Sequence, residues 1–258
     1  MARALHHQLR VVRALVLRDM ITRYGRENIG FVWLVLEPML LCSGVLVLWS
    51  YMHPEGEHGI PVAAIVLTGY MPLTLWRHLV FLGIALIRRN MSVLYHARIT
   101  ALDVVLSRLA LEILAVTGAA LVIFCTLKFA NIVEWPVDAR RVLVGWMLMA
   151  WFAGSVGLIV TALTEYTEIL DKFVQPFMYL TIPLSGCFFL LDWLPTYARD
   201  LILYFPLPHG YELIRGGYFG DIVTTYGSVP YLTCWSAGLT AVGLSLMQVV
   251  RTRVSFTS

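Results

Sequence analysis

The sequence contains little charge for its length. Of its 258 residues only 14% are charged and 59% are hydrophobic, and the mean hydropathy is +0.76. Soluble domains usually hold about 25% charged and about 45–50% apolar residues. The net charge of +3 gives no bulk electrostatic support for nucleic-acid binding. Composition therefore predicts a membrane protein with no nucleic-acid partner.

Residues that would mark an enzyme are also scarce. Lys128 and Lys172 are the only lysines, and neither completes the GxxxxGK[ST] loop that cradles nucleotide phosphates. The HExxH and GxSxG patterns are absent too. The sequence therefore predicts a non-enzymatic chain with no catalytic residue and no cofactor of its own. If ATP drives it, ATP and magnesium bind to a separate subunit.

Potential metal ligands do not form a convincing set. The stretch MHPEGEHG holds two histidines and two glutamates in a short segment, which we interpret as a solvated turn. The four cysteines lie in separate apolar runs without a CxxC pair, so we interpret them as small hydrophobic residues. No metal site is predicted.

Six apolar runs are long enough to be membrane helices, which need about 20 residues to cross the hydrocarbon core. The predicted spans are 29–51, 61–87, 104–127, 142–163, 173–191 and 231–250. An even number of spans places both termini on one side. With the termini in the cytoplasm, 14 of the 19 lysines and arginines lie on the inner side, as the positive-inside rule requires.

Residues 1–28 precede the first span and are amphipathic. Apolar residues recur at steps of four and three, while Arg3, Arg10 and Arg13 lie on another face. This pattern indicates a helix lying in the membrane interface. Arg18, Arg23 and Arg26 continue its positive charge, and anionic lipid would attract them.

Two further segments differ from plain spans. Residues 88–103 begin with an amphipathic stretch on the inner side, predicted either to dock into a partner's groove or to lie on anionic lipid. Residues 192–230 are rich in aromatic residues and are broken by prolines and glycines. We interpret them as short re-entrant or interfacial helices on the outer side.

Charged residues, among them Glu37, Arg108 and Glu112, fall inside predicted spans, where a charge costs about 2.5–3.5 kcal/mol on insertion scales. Arg108 and Glu112 are four residues apart and are predicted to pair. Glu37 precedes Pro38 in the first span. It is interpreted either as a structural partner of an arginine or as part of a subunit contact or substrate path.

The sequence resembles a known family in three places. The stretch ALVLRDMITRYGRENIGFVWLVLEPML is similar to the start of ABC-2 type polysaccharide export permeases of the capsular branch, including the LEP of the first span. LYHARITALDVVLSRLALE resembles that branch's coupling-helix region, and FPLPHGYELIRGGYFG resembles its outer motif. Two departures are Phe205 in place of the usual asparagine and the absence of prolines from residues 97–100.

The resemblance implies one transmembrane domain over 1–258, in the bacterial inner membrane. Two copies would form a channel and bind two ATP-binding cassette subunits, which would drive export of a lipid-linked capsular polysaccharide. Periplasmic and outer-membrane export proteins would continue the path.

The resemblance also implies roles for individual residues. The ATPase-coupling set is Arg88, Arg89, Met91, Leu94, Tyr95 and Arg98. Arg18, Arg23 and Arg26 would meet the lipid head of the substrate, and Trp193, Tyr197, Tyr204, Tyr211 and Tyr218 would line the exit. Membrane anchoring explains these aromatic residues about as well.

Three other functions stay open. The cargo could instead be an O-antigen or a teichoic-acid precursor. An ion or small-solute channel would need no ATPase. A transferase acting on lipid-linked sugars would need an acid/base pair, and Asp103 with Glu112 does not form a convincing one.

Overall fold

The fold is described from a computed structural model covering residues 13–18, 29–52, 60–91 and 99–254. Residues 13–18 are helical. Nine further helices follow in these ranges: α1 (Ile29–Met52), α2 (Val62–Leu82), α3 (Leu86–Arg89), α4 (Ala101–Phe129), α5 (Ala139–Tyr166), α6 (Glu168–Ser185), α7 (Thr196–Leu203), α8 (Pro206–Phe219) and α9 (Val229–Val254). Single 3₁₀ turns occupy Leu191–Trp193 and Gly220–Ile222. The expected all-α class is therefore confirmed.

Four helices in the described part of the chain are long and apolar enough to cross a membrane. They are Val62–Leu82, Ala101–Phe129, Ala139–Tyr166 and Val229–Val250. α1 is 24 residues long and apolar in sequence, and α6 is shorter, with Glu168, Asp171 and Lys172 in its first turns. The structure therefore supports a multi-span protein, and the full count of six stays a prediction.

α2 is the innermost of these helices. Within its most apolar stretch, 78% of the residues are buried inside the protein, against 22% for α9. α1, α4 and α5 surround α2, whereas α9 packs mainly on α5. Most of the apolar surface of α9 therefore lies on the outside of the protein, as expected for a helix that meets lipid.

Small residues let α5 approach its neighbours closely. A Cβ added at Gly157 would collide with the backbone of Leu79 in α2, and one at Gly145 would lie 2.9 Å from the Ile214 nitrogen in α8. Helix packing in membranes relies on such small residues, because lipid supplies no hydrophobic driving force between helices. α5 is thus the common support of α2, α8 and α9.

The region between α6 and α9 consists of short helices. Pro206 opens α8 at the first helical position, where proline loses no hydrogen bond, and Gly220 ends it with φ +58°. α8 is buried almost throughout and packs on α5. α7 has no buried residue. The predicted short helices of 192–230 are present, and their re-entry into the membrane stays a prediction.

Candidate functional site

An arginine on α3 joins two separate parts of the chain. Arg88 Nη2 donates to Asp171 Oδ2 at 2.7 Å, and Arg88 Nε lies 3.8 Å from Glu165 Oε1. The Arg88 backbone N–H also donates to Glu165 Oε1 at 3.3 Å. Glu165 is in the last turn of α5, and Asp171 is in the first turns of α6. Arg88 therefore ties the segment after α2 to the α5–α6 junction.

The backbone next to Arg88 is fixed on the same junction. Ala85 has φ 52°, a left-handed conformation that costs an alanine roughly 1–2 kcal/mol. Its N–H donates to Thr164 Oγ1 at 3.3 Å, and that hydroxyl donates to the Gly83 carbonyl at 3.3 Å. Gly83 itself lies so close to α5 that an added Cβ would come within 2.6 Å of the Gly157 oxygen. Contacts with α5 hold the strained turn in place.

The polar residues of α4 turn toward the protein. Glu112 is 6% exposed and its Oε2 lies 3.4 Å from His78 Nδ1 on α2. Arg108 Nη2 donates to Asn90 Oδ1 at 3.4 Å. These contacts connect α4 with α2 and the end of α3. Pairing between Arg108 and Glu112 themselves stays a prediction.

At the opposite end of α6, a buried arginine binds three backbone carbonyls. Arg215 of α8 is fully buried. Its Nη1 donates to the oxygens of Gly186 and Phe189, both at 2.6 Å, and its Nη2 to that of Cys187 at 2.9 Å. Gly186 is the left-handed cap that ends α6. A guanidinium there satisfies carbonyls beyond the helix and complements the negative end of its dipole.

Glu212 and His209 lie on the same helix and hold the chain that leads into α9. Glu212 Oε2 accepts the Tyr226 N–H at 3.0 Å. The two ring nitrogens of His209 face Leu203 O at 2.9 Å and the Ser228 N–H at 3.1 Å. One contact requires a donor and the other an acceptor, so the ring is the neutral Nε2–H tautomer. α8 is therefore bonded to α6, α7 and the start of α9.

Burial shapes the electrostatics of α8. It lowers the pKa of Arg215 and raises the pKa of Glu212, and the attraction between the two groups opposes both shifts. Burial also lowers the pKa of His209 below its usual value of 6.5. The charged forms of Arg215 and Glu212 are therefore favoured only while each group keeps the other nearby.

Four of the five aromatic residues predicted at the exit divide into an exposed pair and a buried pair. Tyr197 and Tyr204 are 78% and 75% exposed and lie on or beside α7. Tyr211 is fully buried and Tyr218 is 8% exposed, with its hydroxyl donating to Glu134 O at 3.0 Å. Trp193 is partly buried. In this conformation Tyr197 and Tyr204 are open to a ligand, whereas Tyr211 and Tyr218 pack inside the protein.

The predicted coupling and entry residues are described only in part. Arg89 and Met91 are exposed beside Arg88, and Arg18 is exposed. Leu94, Tyr95, Arg98, Arg23 and Arg26 lie outside the described residues, as do His53, Glu55, Glu57 and His58. Glu37 belongs to α1, and its side chain is not among those described. No group of metal-ligating side chains occurs in the described ranges.

Sequence reasoning missed several residues of these networks. Glu165 and Asp171 belong to no recognisable motif, although a local excess of acid on the same predicted side as Arg88 and Arg89 is a signal for pairing. His78 and His209 gave no signal, because a single histidine in an apolar helix has no recognisable spacing. Arg215 and Glu212 were noted only as parts of the outer motif.

Fold and site together define a class: a polytopic helical membrane protein whose charged networks join helices at both ends. The family model for the ABC-2 type transporter matches residues 10–219. The chain belongs to this ABC-2 type transporter family.

Curated relatives carry more specific names. The chain is 37% identical over 240 residues to the capsule polysaccharide export inner-membrane protein CtrC of Neisseria meningitidis serogroup A, covering 93% of this chain and 91% of that protein. It is 35% identical over 241 residues to the protein of the same description, BexB, from Haemophilus influenzae, with the same coverage. The polysialic acid transport protein KpsM of Escherichia coli is 22% identical over 239 residues, 91% of each chain.

Proposed function

We propose that this protein is the inner-membrane permease subunit of a capsule polysaccharide exporter. Two copies form the channel, and a separate ATP-binding subunit on the cytoplasmic side drives transport. The substrate is a lipid-linked polysaccharide. The relatives named for capsule polysaccharide export, matched over 93% of this chain, carry the proposal.

Arg88 links the segment nearest the ATPase to two helices of the channel, so that movement of the ATPase would move these helices. In this proposal the segment that begins at Arg88 lies nearest the ATPase, and Arg88 connects it to Asp171 and Glu165. A shift of this segment therefore pulls on the start of α6 and the end of α5. Of Arg88 and Arg89, the exposed Arg89 is the residue that contacts the ATPase.

The exposed aromatic residues suit an exit for sugar. Tyr197 and Tyr204 present open rings beside α7, and amphipathic rings of this kind present an apolar body and a polar hydroxyl to a glycan. Tyr211 and Tyr218 support α8 from inside. The exit contacts are thus assigned to Tyr197 and Tyr204.

Deletion of the coding gene in an encapsulated host tests the function. The deletion strain should accumulate polysaccharide in the cytoplasm and lose surface capsule, and this chain should restore the capsule only with an intact partner ATPase. Copurification from detergent should recover the ATP-binding subunit. Capsule export that continues without the chain, or transport by the isolated chain without nucleotide, would overturn the proposal.

A charge exchange tests the coupling route. Arg88→Glu should reduce export at least tenfold while the protein remains inserted, because it repels Asp171 and Glu165. Adding Asp171→Arg should restore a large part of export, since it recreates the pair in reverse. Arg89→Glu is the matched control, and Asp171→Arg should not rescue it. If Asp171→Arg fails to restore export to Arg88→Glu, as it should fail with Arg89→Glu, Arg88 belongs to the ATPase surface instead.

A further inference from the structure

A cavity of about 290 Å³ lies between α2, α4, α5 and α8. Its wall is built of apolar side chains, including Met71, Phe124 and Ile214. The indole N–H of Trp146 in this wall donates to Thr117 Oγ1 at 2.9 Å, so this donor is satisfied within the wall. Apolar cavities of this kind stay dry. The lining therefore suits hydrocarbon and offers little to an ion or a sugar.

The mouth of the cavity opens where the membrane would lie. Leu121 of α4 and Leu143 of α5 line the cavity and are 59% and 56% exposed. Both helices are long and apolar enough to span a bilayer. The exposed faces of these helices therefore meet lipid chains, and the cavity continues that surface inward.

Residues just beyond the mouth mark the level of lipid headgroups. Trp135, 66% exposed, packs edge-to-face on Phe124 with ring centroids 5.4 Å apart. Exposed tryptophan is typical of the boundary between hydrocarbon and headgroups. Lys128 lies in the last turn of α4 at the same end. Its Nζ donates to Glu134 Oε2 at 2.8 Å. The cavity thus lies directly on the hydrocarbon side of this boundary.

A positively charged side chain, Arg140, lies at the rim of the cavity. Arg140 is exposed in the first turn of α5, directly after the lining residue Ala139 and one turn before Leu143. Residues three apart on a helix are neighbours on its surface, so Arg140 lies above the mouth at headgroup level. Its charge complements a lipid phosphate.

We propose that this cavity is a binding site for an anionic phospholipid of the surrounding bilayer. One acyl chain fills the cavity between α2, α4 and α5, and the phosphate-bearing headgroup contacts Arg140. The bound lipid fills the packing defect between the central helix α2 and the outer helices. The cavity lining contains none of the residues assigned above to ATPase coupling, and neither Tyr197 nor Tyr204 of the sugar exit.

Photolabelling of the purified protein in nanodiscs tests the site. The probe is phosphatidylglycerol with a diazirine at mid-chain, and labelled peptides are mapped by mass spectrometry. Label should concentrate on peptides 117–124 and 139–146. Ala120→Phe, which fills the cavity, should reduce this label at least fivefold. Gly118→Phe is the matched control on the opposite face of α4, where an added Cβ meets nothing within 4 Å.

A second variant keeps the test valid if Ala120→Phe misfolds. Arg140→Gln changes an exposed residue, and it should reduce the preference for phosphatidylglycerol over phosphatidylcholine severalfold while both lipids still label the cavity. Label spread evenly over α4, α5 and α9 would overturn the proposal. Absence of label from both peptides in the wild type would also overturn it.

Discussion

Arg215 shows how one side chain can join two segments. It is fully buried, and its guanidinium carries the hydrogen bonds of three carbonyls that follow α6. The planar fork of arginine reaches several acceptors at fixed angles, which the compact ammonium of lysine does not. Arg215 is therefore a structural residue of the outer motif.

Arg215→Met should destabilise the protein by on the order of 3 kcal/mol, because it leaves buried carbonyls without donors and Glu212 without a nearby cation. Arg215→Lys should be intermediate. Thermal unfolding in detergent, followed by tryptophan fluorescence, measures both. Arg89→Gln serves as the control, because Arg89 is exposed, and a similar loss of stability there would show that removal of any arginine has this effect.

His209 makes the free energy of unfolding depend on pH. Burial lowers the pKa of His209 in the folded state. Its contribution to the free energy of unfolding is therefore complete above about pH 6.5 and is lost as the pH falls through the lowered pKa. Protonation at Nδ1 would point a proton at the Ser228 N–H. Each unit of pKa lowering corresponds to about 1.4 kcal/mol.

The melting temperature of the wild type should therefore fall between about pH 8 and about pH 5 by more than that of His209→Gln, which does not titrate there. The difference between the two proteins isolates His209 from the other six histidines. Parallel curves for the two proteins would show that His209 does not contribute.

At the scale of elements, the packing of α2 on α5 depends on glycine. A side chain at Gly157 would meet the backbone of Leu79, which has no room to move within a helix. The same close approach brings Gly83 and Thr164 together at the turn that carries Arg88. This helix pair therefore sets the position of the coupling segment.

Gly157→Val should reduce the yield of folded protein severalfold, because overpacking against backbone forces the helices apart. Gly238→Val in α9 is the control, since nothing lies within 4 Å of its added Cβ. Size-exclusion chromatography of the two variants, expressed in parallel, gives the comparison. Equal monodisperse yields would contradict the close-packing argument.

At the scale of the whole molecule, α4 separates two surfaces. Its 29 residues extend about 43 Å at 1.5 Å per residue, enough to cross a bilayer. The loop between α4 and α5 and the segment that contains α3 must then lie on opposite sides. The distribution of positive charge predicts that the α3 side is cytoplasmic.

Cysteine labelling of a cysteine-free background tests this topology. Arg89→Cys should react with an impermeant maleimide only after the cells are permeabilised, whereas Trp135→Cys should react in intact spheroplasts. Both residues are exposed, so failure to react reports the membrane side. Labelling of both from the same side would rule out α4 as a span.

Apolar composition predicted the positions of the main helices, because any segment in hydrocarbon must satisfy its own backbone hydrogen bonds. The predicted runs 29–51 and 231–250 agree closely with α1 and α9. The predicted span 104–127 lies within α4, which begins earlier because the capping box of Thr100 and Asp103 starts the helix at Ala101. The predicted span 173–191 overlaps α6, which begins at Glu168 and ends at Ser185.

These differences have a common cause. Hydropathy counts a charge as a helix boundary, whereas the charges of α6 lie inside the helix and Asp171 is paired with Arg88. The predicted run 61–87 likewise passes through a real break at Gly83–Ala85, because apolar residues continue across it. Contact with α5, not composition, makes that turn.

Helical periodicity and the scarcity of charge were enough to establish an all-helical membrane chain, since both follow from residues close together in sequence. The pairing of Arg88 with Asp171, 83 residues away, and of Arg215 with the end of α6, depends on which helices meet. The burial of Tyr211 and the exposure of Tyr204 likewise depend on which helices meet. Only packing in three dimensions distinguishes them, because identical side chains have identical local preferences.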